Sequence, residues 1–279
     1  MPRRRPQLIP WKVAGRVTEA QASADEVVQA TGWVFNNETG DTLTLAEFVA
    51  TGDNEVPVYL DRFHLLDGDG DDRRTLIEIG CGIGRMTCAF TRRFGTVIAC
   101  DLDAGFLERC REAVARFGKV DRLRTIEVAD GRTLNVPDDS VDVAFSYITL
   151  QHCERDDALA LVDEALRVVK PGGRIALNFR SWSGVDPIVL PVGAVVRVLI
   201  RVPGIGGWLS RQRTTTRLAW QANRLDPHQV VGPIQDRLGN IAVWRNPSRN
   251  ASLWGVKQAS SEHFEGINKN HWWLVADVK

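Results

Sequence analysis

No Cys-x-x-Cys pair occurs among the five cysteines, which fall at positions 81, 88, 100, 110 and 153. Neither a zinc ribbon nor a dithiol redox motif fits them, and their odd number excludes a complete disulfide framework. They read as small buried side chains in a reducing, cytoplasmic setting. Neither charge sign is in excess: Lys+Arg and Asp+Glu stand at 35 each, which argues against bulk nucleic acid as the main partner. Long apolar runs are missing too. The longest aliphatic stretch, 188–202, is interrupted by Pro191, Arg197 and Arg201, so it is too short and too charged to be a transmembrane span. The basic start, Met1-Pro-Arg-Arg-Arg-Pro, is followed by no apolar stretch of the kind a signal peptide requires. No internal repeat or low-complexity tract is found. What is present, 44% apolar and 25% charged residues over 279 positions, supplies a full core. That length suits one large α/β domain with insertions, or two small ones.

The most informative segment is 76–85, Leu-Ile-Glu-Ile-Gly-Cys-Gly-Ile-Gly-Arg. It reads as a strand end, a turn nearly free of side-chain bulk, and the start of a helix. This is how α/β proteins bring backbone amides close to a nucleotide-like ligand. A dinucleotide fingerprint would need Gly-x-Gly-x-x-Gly. Counted from Gly80, its third glycine falls on Arg85, so the nicotinamide-dinucleotide pattern fails.

From there the periodicity is regular. Strand Thr75–Ile79 leads to a helix over 84–94 that Gly95 ends, then a strand over 96–100. Phe106, Cys110, Val114 and Phe117 mark one helix face, stopped by Gly118. Strands follow at 125–128 and 141–146, then a helix carrying Leu159, Val162, Leu166 and Val169. Lys170-Pro-Gly-Gly turns into a fifth strand over 174–178. Strands alternating with helices in this way predict an α/β fold with a doubly wound, parallel sheet. The pattern breaks at Ser181, where an aliphatic helix (188–202), a turn (203–207) and a basic stretch (211–224) intervene. Asp226-Pro227 starts another helix, and strands at 241–244 and 271–278 close the chain. Upstream, 44–49 and 56–66 have helical character, with Val58, Phe63 and Leu66 on one buried face. The Asp67-Gly-Asp-Gly run reads as a solvated turn, because Arg73-Arg74 follow and the terminal Glu of a calcium loop is missing.

Three further positions carry chemistry. Asp101 ends the second strand, 21 positions after Gly80, where a carboxylate accepts ribose hydroxyls or caps the next helix. Asp130-Gly131 follows the third strand, where it holds an adenine amine or simply forms a turn. His152 lies just past the fourth strand as a general base, a helix cap or a packing residue.

Glu78–Gly84, Asp101, Asp130-Gly131, the 139–142 run Asp-Ser-Val-Asp, Leu150-Gln151-His152 and the 167–173 run Arg-Val-Val-Lys-Pro-Gly-Gly together resemble the class I S-adenosylmethionine-dependent methyltransferases. The resemblance is good over about 73–180 and extends to the final helix and strands. It implies a seven-stranded, mostly parallel Rossmann-like sheet with an antiparallel last strand. It implies a cofactor domain over 73–279, with a substrate-side insert at 182–225 and a helical lid or substrate segment over 1–72. Carried onto this chain, it implies that Gly80, Gly82 and Gly84 line the methionine and ribose, with Glu78 orienting that loop or reaching the amino group. Asp101 would hold the ribose, Leu102 would lie against the adenine, and Asp130 with Gly131 would take its amine. His152 would serve as the base.

Strand four ends in Ser146-Tyr147-Ile148-Thr149 and not in the Asn/Asp-Pro-Pro-aromatic pattern of nucleobase amine methylation, and no Pro-Cys nucleophile occurs. The expected acceptor is therefore a small molecule methylated at oxygen or nitrogen. Trp182, Trp208 and Trp220 would suit an apolar acceptor. Arg201, Arg211, Arg213, Arg217 and Arg224 would suit an anionic one, a membrane surface or merely solvent. A non-catalytic protein that binds S-adenosylmethionine as a regulator or partner subunit stays open. Aminopropyl transfer ranks behind, for want of acidic residues after strand four.

Overall fold

Near-continuous apolar runs make strands that are buried on both faces, and amphipathic helices between them supply the covers. The strands are β1 (Asp71–Ile79), β2 (Phe94–Asp101), β3 (Leu123–Glu127), β4 (Val141–Ser146), β5 (Val169–Arg180), β6 (Leu238–Arg245), β7 (Ser260–His263) and β8 (His271–Val278). The helices are α1 (Ala24–Phe35), α2 (Leu45–Arg62), α3 (Thr87–Arg93), α4 (Ala104–Phe117), α5 (Arg155–Val168), α6 (Asp186–Ile200), α7 (Ile205–Leu209), α8 (Arg213–Trp220) and α9 (Pro227–Ile234). This computed structural model describes residues 23–35, 43–66, 71–209, 212–220, 223–249, 253 and 255–279. The Asp67-Gly-Asp-Gly run and Arg211 lie outside the described residues, as do the side chains of Arg213, Arg217 and Trp220.

One sheet runs in the order β3-β2-β1-β4-β5-β8-β6-β7. β8 is antiparallel to both of its neighbours and every other pairing is parallel. The α/β class and the reversed last strand therefore stand as expected, but the sheet has eight strands where the sequence suggests seven. The added strand is the four-residue edge piece β7, which pairs with β6 from inside the long β6–β8 connection. It is polar and largely exposed, and such a strand leaves no apolar signature to read.

Trp272 and Trp273 show how the sheet divides the core. Trp272 packs with α5 and α9 on one face, and Trp273 packs with α2 and α3 on the other, as alternation along a strand demands. Tyr59, Phe63, Phe145 and Tyr147 surround Trp273 at ring separations of 5.0–5.4 Å. A third cluster ties α1 to α2 and α4.

Several boundaries move from the sequence reading for physical reasons. α2 is one continuous 18-residue helix, started by a Thr44–Glu47 capping box. Its buried face is Leu45, Phe48, Val49, Gly52, Val56, Tyr59 and Leu60, so Val58 points outward. Gly95 does not end a helix; it lies inside β2. Lys170-Pro-Gly-Gly is drawn into β5, where the pairing with β4 shifts register. The 203–207 turn gives way to the short helix α7.

Gly52 explains why α2 lies so close to the sheet. A Cβ there would stand 2.1 Å from the Arg85 carbonyl oxygen, so helix and loop touch backbone to backbone. Helix propensity alone predicts that Gly52→Ala stabilises by about 1 kcal/mol. Packing predicts the reverse, a loss of about 1–3 kcal/mol. Urea unfolding with an unchanged m-value decides between them, and a raised midpoint would show that α2 can move away freely.

Candidate cofactor and active site

The carboxyl ends of β1, β2 and β4 enclose a cavity of about 1200 Å³, its open mouth included. The glycine loop forms its floor. Gly80, Gly82 and Gly84 have φ of +81°, +56° and +92°, a region that a side chain makes costly. The Gly80 and Cys81 N–H groups donate to the Cys100 carbonyl at 2.7 and 2.9 Å, which ties the loop to the end of β2. A Cβ on Gly80 would overlap Thr149, with Oγ1 at 2.1 Å. Gly84 faces elsewhere. A Cβ there would meet the Cys110 backbone at 3.2 Å, so this glycine lets α4 approach the loop and does not line the cavity.

Glu78, Gly80, Gly82, Asp101, Leu102, Gly131 and His152 do line it. Asp101 straps the loop, its two carboxylate oxygens accepting from the Gly82 N–H at 2.9 Å and the Asp103 N–H at 3.0 Å. The Leu102 N–H also favours its charged form, and these three donors leave part of the carboxylate's acceptor capacity unused. Asp130 departs from the reading given by resemblance. It is exposed, and its carboxylate accepts from the Arg132 and Thr133 N–H groups at 2.8 Å and from the Thr133 hydroxyl at 2.7 Å. Those bonds belong to its own turn, and only its neighbours Val128 and Gly131 reach the cavity.

Residues that spacing could not find complete the wall. Phe48 comes from α2. Arg85, which matters in the sequence only for spoiling the dinucleotide pattern, is buried and forms a bidentate pair with Glu55 of α2 at 2.8 and 3.3 Å. Its guanidinium lies 5.7 Å from the centre of the Tyr147 ring. Ile148 has φ of +53°, an outlier for a β-branched residue. Its N–H donates to Asn178 Oδ1 at 3.4 Å, and the same oxygen lies 3.1 Å from His271 Nδ1. Burial and the Arg180 charge push His271 down to about 3, so its imidazole is neutral.

The turn holding His152 is clamped from the far side of the insert. Asn223 Nδ2 donates to the Leu150 and Cys153 carbonyls, both at 2.7 Å. The adjacent Arg224 is not a surface cation. It is fully buried and pairs with the fully buried Asp186 at 2.7 Å, at the start of α6. Burial pushes Asp186 up, but Arg224 and the Ser183 hydroxyl and N–H outweigh it and hold the carboxyl below its ordinary range.

A second cavity opens beside the first, at the ends of β5, β6 and β8. Arg245, Arg249, Lys269 and His271 line it, with Asp226 as its carboxylate and Trp182 at its rim. Arg245 is only 9% exposed, and among the described residues its Nε has no hydrogen-bond partner. Burial lowers its pKa.

Residues 77–177 match a family model described as "Methyltransferase domain". An uncharacterized methyltransferase of Mycolicibacterium vanbaalenii is 32% identical over 135 residues, covering 48% of this chain and 50% of that one. A malonyl-[acyl-carrier protein] O-methyltransferase of Methylococcus capsulatus is 32% identical over 108 residues, 37% and 36% of the two chains. The chain thus spans half or less of these relatives' lengths. Among solved structures, a geranyl diphosphate C-methyltransferase from Streptomyces coelicolor superposes with a TM-score of 0.53 at 15% identity, over 81% of this chain and 79% of that one. At that identity it speaks for the fold.

Two carboxylates in the glycine-loop cavity are hard to ionise. Burial pushes Glu78 up to about 7, against the opposing Thr87 hydroxyl bond (2.7 Å) and the Arg85 charge. Burial likewise pushes Asp101 up to about 6. A carboxyl raised on folding binds more protons folded than unfolded, so stability falls as pH rises from the unfolded pKa toward the folded one. The ligand-free protein should therefore lose stability between about pH 4 and 7. Glu78→Gln should remove a share of that loss on the order of 2 kcal/mol. Chemical unfolding at pH 5 and pH 8 checks this, and an identical pH slope in the variant would refute the assignment.

Proposed function

We propose that this chain, whose residues 77–177 match a methyltransferase-domain model, is an enzyme that transfers the methyl group of S-adenosylmethionine to an oxygen or nitrogen of a small-molecule acceptor. The observation that carries this reading is the glycine-loop cavity itself. A left-handed glycine loop, Asp101 and Glu78 converge there on one space. Two carboxylates that burial makes reluctant to ionise suit a cationic ligand, and the bare loop suits close approach of its methionine and ribose.

Bound there, S-adenosylmethionine supplies an electrophilic methyl on a sulfonium. The protein's part is placement and exclusion of water. Asp101 would accept ribose hydroxyls through the lone pairs its strap leaves free. Leu102, Val128 and Gly131 would flank the adenine, while Asp130 would shape the turn beneath. Glu78, held by Thr87, would face the amino end. His152 would take the acceptor's proton, and Tyr147, stacked 5.4 Å from Trp273, would support the transfer position. The acceptor side would be built from the N-terminal segment, where α2 supplies Phe48, and from the insert at 182–225. The second cavity supports an acceptor bearing an anionic group, seated beside Arg245. The five free, buried cysteines fit a reducing, cytoplasmic setting.

Calorimetry should find binding of S-adenosylmethionine and of S-adenosylhomocysteine but not of NAD. Asp101→Ala should weaken it by about 1–3 kcal/mol; tight NAD binding without S-adenosylmethionine binding would sink the proposal. A screen for labelled-methyl transfer then separates an enzyme from a regulator. With an acceptor in hand, His152→Ala should lower kcat and remove the fall in rate at the acidic end of the pH profile, where a base is lost to protonation. Arg245→Gln should chiefly raise KM. Wild-type turnover by the His152 variant across the pH range would remove the base role.

A further inference from the structure

The glycine-loop cavity makes no use of the most apolar helix face left in water among the described residues. α6 buries only Asp186, Gly193, Val196 and Ile200. Gly193 allows close contact with α8, where an added Cβ would stand 2.5 Å from the Leu218 carbonyl oxygen. On the neighbouring face Ile188, Val192, Val195 and Leu199 follow one another at helical spacing, all exposed, Ile188 by 72%. Val198, Val202 and Ile205 widen the stripe. Trp182 stands before the helix and Trp208 after it, 48% and 62% exposed. An apolar patch of this extent on a soluble domain marks an interaction surface.

Charge says what covers it. From 187 to 225 the sequence has no Asp or Glu, yet it carries arginines at 197, 201, 211, 213, 217 and 224. The rest of a chain of zero net charge is correspondingly acidic. Arg224 is consumed by Asp186, and Arg201 is exposed beside the apolar stripe. A protein partner or a second copy of this chain would have to be matched to that stripe side chain by side chain. A negatively charged lipid surface needs only three things: an apolar face, basic residues around it, and indole rings at the headgroup level. At 15 residues α6 is about 22 Å long, too short to cross a bilayer, and no described helix is long and apolar enough to do so.

We propose that α6 and α7 lie in the plane of an anionic lipid surface, with Ile188, Val192, Val195 and Leu199 among the acyl chains and Trp182 and Trp208 at the boundary. α6 begins just past the carboxyl end of β5, the sheet edge on which both cavities open. Docking therefore brings the active-site edge toward the membrane. The proposal is independent of methyl transfer and is tested without cofactor.

The full-length protein is sedimented with vesicles of phosphatidylcholine alone and with vesicles of equal parts phosphatidylcholine and phosphatidylglycerol. Binding should be roughly tenfold or more tighter to the anionic vesicles and should weaken in high salt. Trp fluorescence should shift to the blue on binding. Ile188→Glu should abolish binding while thermal unfolding stays unchanged, and Arg201→Glu should weaken it on anionic vesicles only. The proposal is overturned by absence of binding to anionic vesicles, or by equal binding to both kinds that Ile188→Glu leaves intact. A dimer in ultracentrifugation that Ile188→Glu dissolves, without vesicle binding, would overturn it in favour of a second copy.

Discussion

Backbone meets backbone around the glycine loop, and the positions of the other elements follow from that contact. Gly52 brings α2 against the Arg85 carbonyl, Gly84 brings α4 against the loop, and Gly80 leaves room for Thr149. These approaches are steric, so they tolerate almost no added volume. With the loop held from three sides, its N–H groups can be aimed: two at the Cys100 carbonyl and one at Asp101. The Arg85–Glu55 pair then fastens α2 to the cavity wall. Helix α2 is in this way part of the cavity wall and not an appendage to it.

Position 186 sets a second constraint. A carboxylate and a guanidinium, both at zero exposure, meet where the insert leaves β5 and returns to it. Breaking such a pair from one side leaves an uncompensated buried charge, which costs far more than the intact pair gains. The pair therefore acts as a registration pin. It fixes where α6 starts, and through the neighbouring Asn223 it fixes the turn that presents His152.

Legibility from sequence followed the range of the interaction. The αβ alternation depends on local periodicity, while the reversed last strand and the cavity positions of Glu78, Gly80, Gly82, Asp101, Leu102, Gly131 and His152 followed from the family resemblance carried by one loop and the strand-end motifs. They could be read. Gly84 and Asp130 sit in the right motifs, but what faces them is decided by α4 in one case and by a two-residue turn in the other. Arg85, Phe48 and Asn178 act through partners 30 or more positions away, and no spacing rule points to those partners. Arg224 looked like a surface cation because its partner lies 38 positions upstream. Ile148 gave no signal at all, since nothing in an isoleucine announces a left-handed backbone; only the Asn178–His271 network beneath it shows what holds it there.

The two reluctant carboxylates have a consequence beyond the site. An empty cavity lined by groups that ionise only at a cost is a standing debit against a fold whose whole margin is small. A cation seated beside Glu78 and Asp101 relieves that cost, and the folded state gains what the ligand gains. Ligand binding would in that way widen the stability margin, and fewer copies would be exposed to removal as unfolded chains.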